Sequence, residues 1–221
     1  MRIDPAGLPF IAGALAPAAA AVLARRPKWA VPLAAAAGFM LFFFRDPDRM
    51  PLAGDHLVLA PADGRVIVAG PAEPGVAPPG EWQQVSIFLS PLDVHVNRFP
   101  FTGRVERVEY RPGRFLPAYD AASAAENERS EIWITQGDRT VVARQIVGVL
   151  ARRVVCRATA GTDVRAGDRL GVMKFGSRMD VFVPPSAELL ARVNARLPEE
   201  GQKRLRYGDV GKRYFAERVL S

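Results

Sequence analysis

The chain has 221 residues, with 30 Lys and Arg against 23 Asp and Glu, and a formal net charge of +7 at pH 7. Its length allows one sizeable core, and a hydrophobic content of 49% beside 24% charged residues requires the apolar residues to be concentrated somewhere. The basic residues are scattered, so an anionic membrane surface is a better partner than nucleic acid. One cysteine and two histidines exclude an intrachain disulfide and argue against a metal site built on Cys or His.

The N-terminal part holds this concentrated apolarity. Residues 7–24 and 29–44 carry no charge and are separated only by Arg25-Arg26-Pro27-Lys28. We therefore predict a hydrophobic helical hairpin within residues 1–50, embedded in or lying on the cytoplasmic face of the cell membrane. A cleaved signal peptide is the alternative interpretation.

Residues 51–221 have a different sequence pattern, in which short β-prone segments alternate with Gly, Pro and Asp. This pattern predicts a mainly β domain, a compact barrel-like or sandwich-like fold with few helices. The predicted strands are 57–60, 65–70, 84–89, 103–110, 131–136, 140–149, 152–159, 169–175 and 179–183. The first two are expected to pair as a hairpin with its bend at Asp63-Gly64. A loop with a helical turn is expected at 114–131, and a helix at about 186–196.

A Gly-Ser step lies between the last two predicted strands, where we expect a tight reversal. Gly176 has no Cβ, so its carbonyl is open to attack, and the hydroxyl of Ser177 follows directly. These residues are suited to cleavage of the main chain by its own serine. Taken alone, Gly-Ser is an ordinary turn dipeptide.

Three residues are candidates for a nucleophile with its base and orienting carboxylate: Ser177, His95 and Asp63. A serine oxygen needs a base to take its proton, and a carboxylate can fix the imidazole tautomer. Each also has a simpler explanation, since Asp-Gly is a favoured turn and a histidine in Val-His-Val is often a packed strand residue.

An ordered set of segments resembles phosphatidylserine decarboxylase in its short prokaryotic form, over nearly the whole chain. The segments are Phe43-Phe44-Arg45-Asp46-Pro47, Pro61-Ala62-Asp63-Gly64, Ser90-Pro91-Leu92-Asp93-Val94-His95-Val96-Asn97-Arg98, Asn127-Glu128-Arg129 and Phe175-Gly176-Ser177.

The resemblance implies a zymogen that cleaves itself between Gly176 and Ser177 into chains 1–176 and 177–221, which stay together as a heterodimer. It also implies a covalent cofactor, a pyruvoyl group derived from Ser177. In such enzymes the pyruvoyl ketone forms a Schiff base with phosphatidylserine, loss of CO2 follows, and phosphatidylethanolamine is released.

The resemblance also carries site residues. His95 and Asp63 would serve the cleavage, and the long-form members have a second histidine where this chain has Arg98. Arg98 could pair with a substrate carboxylate or phosphate, and its alternative is an exposed charge at a strand edge. Asn127, Glu128 and Arg129 match the family's segment, and we expect them to line the site or to hold the hairpin.

Other functions are possible on the same residues. A biotinyl or lipoyl carrier would be modified at Lys174, which follows Met173 in a turn-like context. A pyruvoyl decarboxylase of a soluble amino acid would keep the chemistry and change the substrate. A structural β domain with a membrane anchor is the third alternative.

Overall fold

The computed structural model describes residues 2–49, 51, 54, 57–149, 154–175, 177–187, 189 and 204–205. Gly176 and most of the predicted helix at 186–196 lie outside these ranges. The chain divides into two units, Met1–Asp48 and Arg49–Ser221.

The first unit is the expected helical hairpin. Helices α1 (Leu8–Leu23) and α2 (Pro27–Phe43) pack against each other, and strands β1 (Arg2–Ile3) and β2 (Arg45–Asp46) pair antiparallel. A single turn of 3-10 helix precedes α1, and together they form an apolar helix over Pro5–Leu23 with a mean hydropathy of 1.8. By length and composition alone, this helix could cross a membrane, whereas α2 is shorter.

The second unit is mainly β, as predicted. Its elements are β3 (Gly64–Pro71), β4 (Gln83–Leu89), β5 (Val96–Arg98), β6 (Gly103–Arg111), α3 (Ser123–Glu126), β7 (Arg129–Gln136), β8 (Arg139–Ile146), β9 (Val154–Cys156), β10 (Asp163–Val164), β11 (Arg169–Met173), β12 (Ser177–Val183) and β13 (Arg204–Leu205). Among the described residues, eight strands form one sheet in the order β10-β6-β7-β8-β12-β4-β3-β13, and three form another in the order β5-β11-β9. The sheets do not close into a barrel, and the arrangement is sandwich-like.

Strand β12 has two differently used faces, because side chains alternate along a strand. Met179, Val181 and Val183 belong to the main hydrophobic core, and we call this side of the large sheet the inner face. Phe182 belongs to a separate cluster with Val76, and we call that side the outer face.

Two local predictions were wrong. Residues 57–60 do not pair with β3; instead the Leu59 N–H donates to the Pro100 carbonyl at 2.8 Å, while β3 pairs with β4. Gly64 shows why β3 runs so close to β4: its φ is +154°, and an added Cβ would lie 2.3 Å from the Phe88 carbonyl oxygen.

A tight reversal at Gly176-Ser177 would require β11 and β12 to pair with each other, and they do not. Strand β11 pairs with β5 and β9, whereas β12 pairs with β4 and β8. The chain therefore leaves one sheet after Met173 and has entered the other at Ser177. Local turn chemistry cannot distinguish a reversal from such a crossing, since both use short flexible segments.

Candidate active site

Ser177 is the first residue of β12 and lies opposite Leu89 of β4. By alternation from Met179, its side chain belongs to the inner face of the large sheet. The side chain is 0% exposed, and its Oγ has no hydrogen-bond partner among the described residues. A buried polar atom without a partner is costly, so its retention here needs a functional explanation.

The backbone just before Ser177 is strained. Phe175 has a φ of +57°, in the left-handed region that bulky side chains rarely adopt. Such a conformation costs about 1–3 kcal/mol and persists only where the surrounding structure enforces it. The strain lies one residue before the Gly176-Ser177 bond.

His95 is connected to the Ser177 segment through the small sheet. The Met173 N–H donates to the His95 carbonyl at 3.1 Å, at the end of the β5–β11 pairing. Ser177 is four positions after Met173, a span of at most about 14 Å. The fold thus places the backbone of His95 one short stretch of chain away from Ser177, although the two residues are 82 positions apart in the sequence.

The turn that precedes His95 determines which nitrogen of the imidazole ring carries the hydrogen. The Asp93 carboxylate accepts from the Ser90 amide at 2.8 Å and from the Ser90 hydroxyl at 2.6 Å. The Asp93 carbonyl then lies 3.0 Å from His95 Nδ1. Because a carbonyl only accepts, this contact places a hydrogen on Nδ1 and leaves Nε2 as the nitrogen that can exchange a proton.

Asp63 approaches the same region along an irregular segment. The Arg98 N–H donates to the Pro61 carbonyl at 2.8 Å, which together with the Leu59–Pro100 bond gives an antiparallel register. Continued by two residues, this register brings Asp63 level with Val96, the neighbour of His95. Asp63 is 6% exposed and forms an ion pair at 2.9 Å with Arg49.

A buried amide pair joins the two sheets beside these residues. Gln145 Nε2 donates to Asn97 Oδ1 at 2.9 Å, and both side chains are fully buried. Gln145 lies opposite Met179, so it shares the inner face with Ser177. Asn97 is two residues after His95 and therefore shares a side of that extended segment with it.

Arg98 is not an exposed strand-edge charge, since its side chain is buried and donates to the Gly167 carbonyl at 3.0 Å. By alternation it lies on the side of β5 opposite to Asn97.

The contacts of the Asn127-Glu128-Arg129 segment hold neighbouring stretches of main chain in place. The Asn127 amide accepts from the Leu116 N–H and donates to the carbonyls of Leu116 and Val147, each at 2.9 Å. The Glu128 main chain bonds to Arg114 and Val147. Burial, followed by the charge of Arg144, lowers the pKa of the Arg129 guanidinium. By alternation Arg129 shares a side with Glu131 and Trp133, on the outer face.

A small apolar cavity of about 180 Å³ opens beside the strained residue. Its lining residues are Phe88, Pro91, Pro117, Ala118, Tyr119, Val149 and Phe175. A larger cavity of about 750 Å³ lies in the proline-rich loop between β3 and β4, and none of Ser177, His95 and Asp63 lines it. Of these two cavities, the small one is adjacent to the candidate chemistry, because Phe175 lines it. Among the described residues, no group of three or more His, Cys, Asp or Glu is placed to hold a metal ion.

Comparison with known proteins agrees with the resemblance seen in the sequence. Residues 36–209 match the family described as phosphatidylserine decarboxylase. A protein named phosphatidylserine decarboxylase proenzyme from Pelodictyon phaeoclathratiforme is 44% identical over 176 residues, which cover 77% of this chain and 82% of that protein. A protein of the same name from Gluconacetobacter diazotrophicus is 43% identical over 203 residues, covering 87% of this chain and 88% of that protein.

The chain therefore belongs to the phosphatidylserine decarboxylase family, and it is a carboxy-lyase by class. The carrier and structural alternatives lose their support with this result.

Three residues of the site were missed in the sequence: Arg49, Asn97 and Gln145. Asn97 stands inside the motif that carries His95, at the spacing that shares a strand side, and this signal could have found it. Arg49 and Gln145 carry no local signal, because their contacts are made across 14 and 48 residues of chain.

Proposed function

We propose that this chain is a self-processing, pyruvoyl-dependent decarboxylase that converts phosphatidylserine into phosphatidylethanolamine and CO2. The observation that carries the proposal is Ser177 itself. Its hydroxyl is fully buried and without a partner among the described residues, directly after a strained crossing between sheets. Family membership supports the substrate, since the named relatives are phosphatidylserine decarboxylase proenzymes.

The first step is an acyl shift at the Gly176-Ser177 bond. His95 Nε2 takes the Ser177 hydroxyl proton, Oγ bonds to the Gly176 carbonyl carbon, and the C–N bond breaks, with a proton returned to the freed amine. The product is an ester. The Asp93 carbonyl at Nδ1 orients the His95 ring, and Asp63 is proposed to stabilise the charged form of that ring.

The second step breaks the covalent link between the two chains. Removal of the Ser177 α-proton breaks the Cβ–Oγ bond, and the oxygen leaves as part of the Gly176 carboxylate. Water then hydrolyses the unsaturated residue, ammonia departs, and a ketone remains at position 177. No oxidant is needed, because the electron pair of the C–H bond stays in the residue.

The residues present fit a pyruvoyl group. Residue 177 is enclosed, and its strand stays paired with Leu89 of β4, so that β12 would hold the group after cleavage. Once formed, the group supplies a carbonyl that takes up the substrate amine and accepts the electrons released with CO2. His95 is proposed to return a proton to the product. Arg98 is not assigned a contact with the substrate, since its side chain lies on the side of β5 opposite to Asn97 and donates to the Gly167 carbonyl.

Two features favour a lipid over a soluble amino acid as substrate. The cavity beside Phe175 is lined by apolar and aromatic side chains, which suits the hydrocarbon part of a lipid. The helical hairpin exposes Leu23 at 85% and Trp29 at 69%, beside the exposed Arg25 and Arg26. Exposed apolar side chains next to basic ones are typical of attachment to an anionic membrane, here proposed to be the cytoplasmic face of the cell membrane.

The mass of the C-terminal fragment tests the processing. We expect the purified protein to contain chains 1–176 and 177–221, the latter with a blocked terminus whose carbonyl is reduced by hydride in the presence of an amine. Ser177→Ala should remain one chain and inactive, while Ser186→Ala, at an exposed serine, should be processed normally. An intact parental chain would remove the proposal.

The substrate is tested separately on the processed enzyme. Release of CO2 should be seen with vesicles that contain phosphatidylserine and not with aspartate or adenosylmethionine. Turnover of a soluble amino acid instead would leave the pyruvoyl chemistry standing and overturn the lipid substrate.

A further inference from the structure

The amide pair of Asn97 and Gln145 has unused hydrogen-bonding capacity in the interior. Asn97 Nδ2 and Gln145 Oε1 are buried and have no partner among the described residues. Exchanging the oxygen and nitrogen of both amides would leave the same result, one unused NH2 donor and one unused carbonyl acceptor. Two buried polar groups of this kind cost free energy, so a purely structural bridge between the sheets would be poorly built.

The pair lies close to Ser177 on the inner face. Gln145 is the diagonal neighbour of Ser177 across the β12–β8 pairing, which corresponds to roughly 7–8 Å between backbone positions. Its partner Asn97 is on the same side of its segment as His95. The unused donor, the base and the nucleophile therefore face one buried space between the two sheets.

Gly171 makes this approach of the sheets possible. It lies opposite Asn97 in β11, and a Cβ there would be 3.1 Å from Gln145 Nε2 and would overlap the Val155 carbonyl. The Val155 carbonyl of β9 therefore requires glycine at this position, and the missing side chain also leaves space beside the amide pair.

We propose that the unused NH2 donor of the Asn97–Gln145 pair stabilises the oxygen that becomes negatively charged when Ser177 Oγ attacks the Gly176 carbonyl. The inference rests on the proposed self-processing, and it adds an amide donor to the residues that take part in the cleavage. Charge that develops in a buried site needs a preorganised donor, because water cannot supply one without reorganisation. Asn97 is the donor in the structure's amide orientation, and Gln145 positions it.

Cleavage kinetics of the full-length chain test the assignment. The protein is synthesised in a cell-free system, and the cleaved fraction is followed on denaturing gels. We expect Asn97→Leu to slow cleavage at least tenfold, towards the roughly 10²–10³-fold that loss of one oxyanion donor costs in other enzymes. Gln145→Leu should also slow it, and the exchange Asn97→Gln with Gln145→Asn should recover part of the rate, because the amides are kept.

Gln84→Leu is the matched control. Gln84 is a fully buried glutamine that bonds to Ser86 and to the Glu73 amide, and by alternation it lies on the outer face of the same sheet. Its cleavage rate should stay within twofold of the parent. Melting temperatures are compared in the Ser177→Ala background, where every chain remains in one piece.

Hydroxylamine distinguishes the step that is affected, because it cleaves an accumulated ester. Since the donor acts before the ester forms, hydroxylamine should not restore cleavage of Asn97→Leu. The inference is overturned if Asn97→Leu cleaves within twofold of the parent, if hydroxylamine restores its rate, or if Gln84→Leu is slowed equally. A parental chain that never cleaves would instead refute the proposed function, and with it the event that the amide pair serves.

Discussion

Replacing Arg178 by methionine should strongly destabilise the second unit, Arg49–Ser221, while leaving the proposed cleavage at the neighbouring Ser177 intact. Arg178 follows Ser177 in β12 and lies on the opposite, outer face. Its guanidinium is 1% exposed and donates to Asp180 at 2.7 Å and to Ser86 at 2.9 Å. The second oxygen of Asp180 has no partner among the described residues, so this carboxylate depends on Arg178.

The expected magnitude follows from that dependence. Breaking a buried ion pair on one side costs about 3–5 kcal/mol, because the remaining charge is uncompensated. For a unit of this size, about 2–4 °C of melting temperature is lost per kcal/mol, which predicts a fall of roughly 6–20 °C. Removing both charges should cost much less, so the double variant Arg178→Met with Asp180→Leu should melt above Arg178→Met.

Thermal unfolding in the Ser177→Ala background measures these values on an uncleaved chain. Arg104→Met is the control, since the Arg104–Asp163 pair is long, at 3.4 Å, and solvent-exposed, and should contribute at most about 1 kcal/mol. The reasoning is wrong if Arg178→Met melts within 2 °C of its parent, or if the double variant is no more stable than the single one.

Three further outcomes are expected. Gly64→Ala should lose about 3 kcal/mol in urea unfolding, because its φ of +154° and the 2.3 Å approach to the Phe88 carbonyl leave no space for a methyl group; an unchanged midpoint would contradict this. Asn127→Leu should lower the free energy of unfolding by about 1–3 kcal/mol and increase proteolysis of the loop at 114–126, because three hydrogen bonds from the side chain to main-chain groups are lost. Protease resistance equal to that of the parent would argue against the role of Asn127 in holding this loop. Burial raises the pKa of the Cys156 thiol above its ordinary 9.0, so the folded state keeps a proton that the unfolded chain releases. The stability that this contributes is present below pH 9 and is lost as the pH rises through the folded pKa. The urea midpoint should therefore fall more steeply with pH in the parent than in Cys156→Ala, and parallel plots of midpoint against pH would refute this.

The sequence by itself predicted most strands of the second unit, because alternating apolar residues are a local property of the chain. The predicted strands at 84–89, 103–110 and 131–136 correspond to β4, β6 and β7, and the helical turn expected in 114–131 is α3. The apolar hairpin was equally visible, since uncharged segments of that length have few other structures available. The ordered motifs around Asp63, His95 and Ser177 identified the family.

The tertiary structure alone decided which strands pair and what surrounds each polar group. It placed β11 and β12 in different sheets, paired the 57–60 segment with residues near Arg98 instead of β3, and put Arg49 against Asp63. It also joined Asn97 to Gln145 across the two sheets. These contacts depend on the free energy of packing two whole sheets together. No local preference of a short segment contains that information, because the same segment can satisfy its backbone hydrogen bonds with several partners.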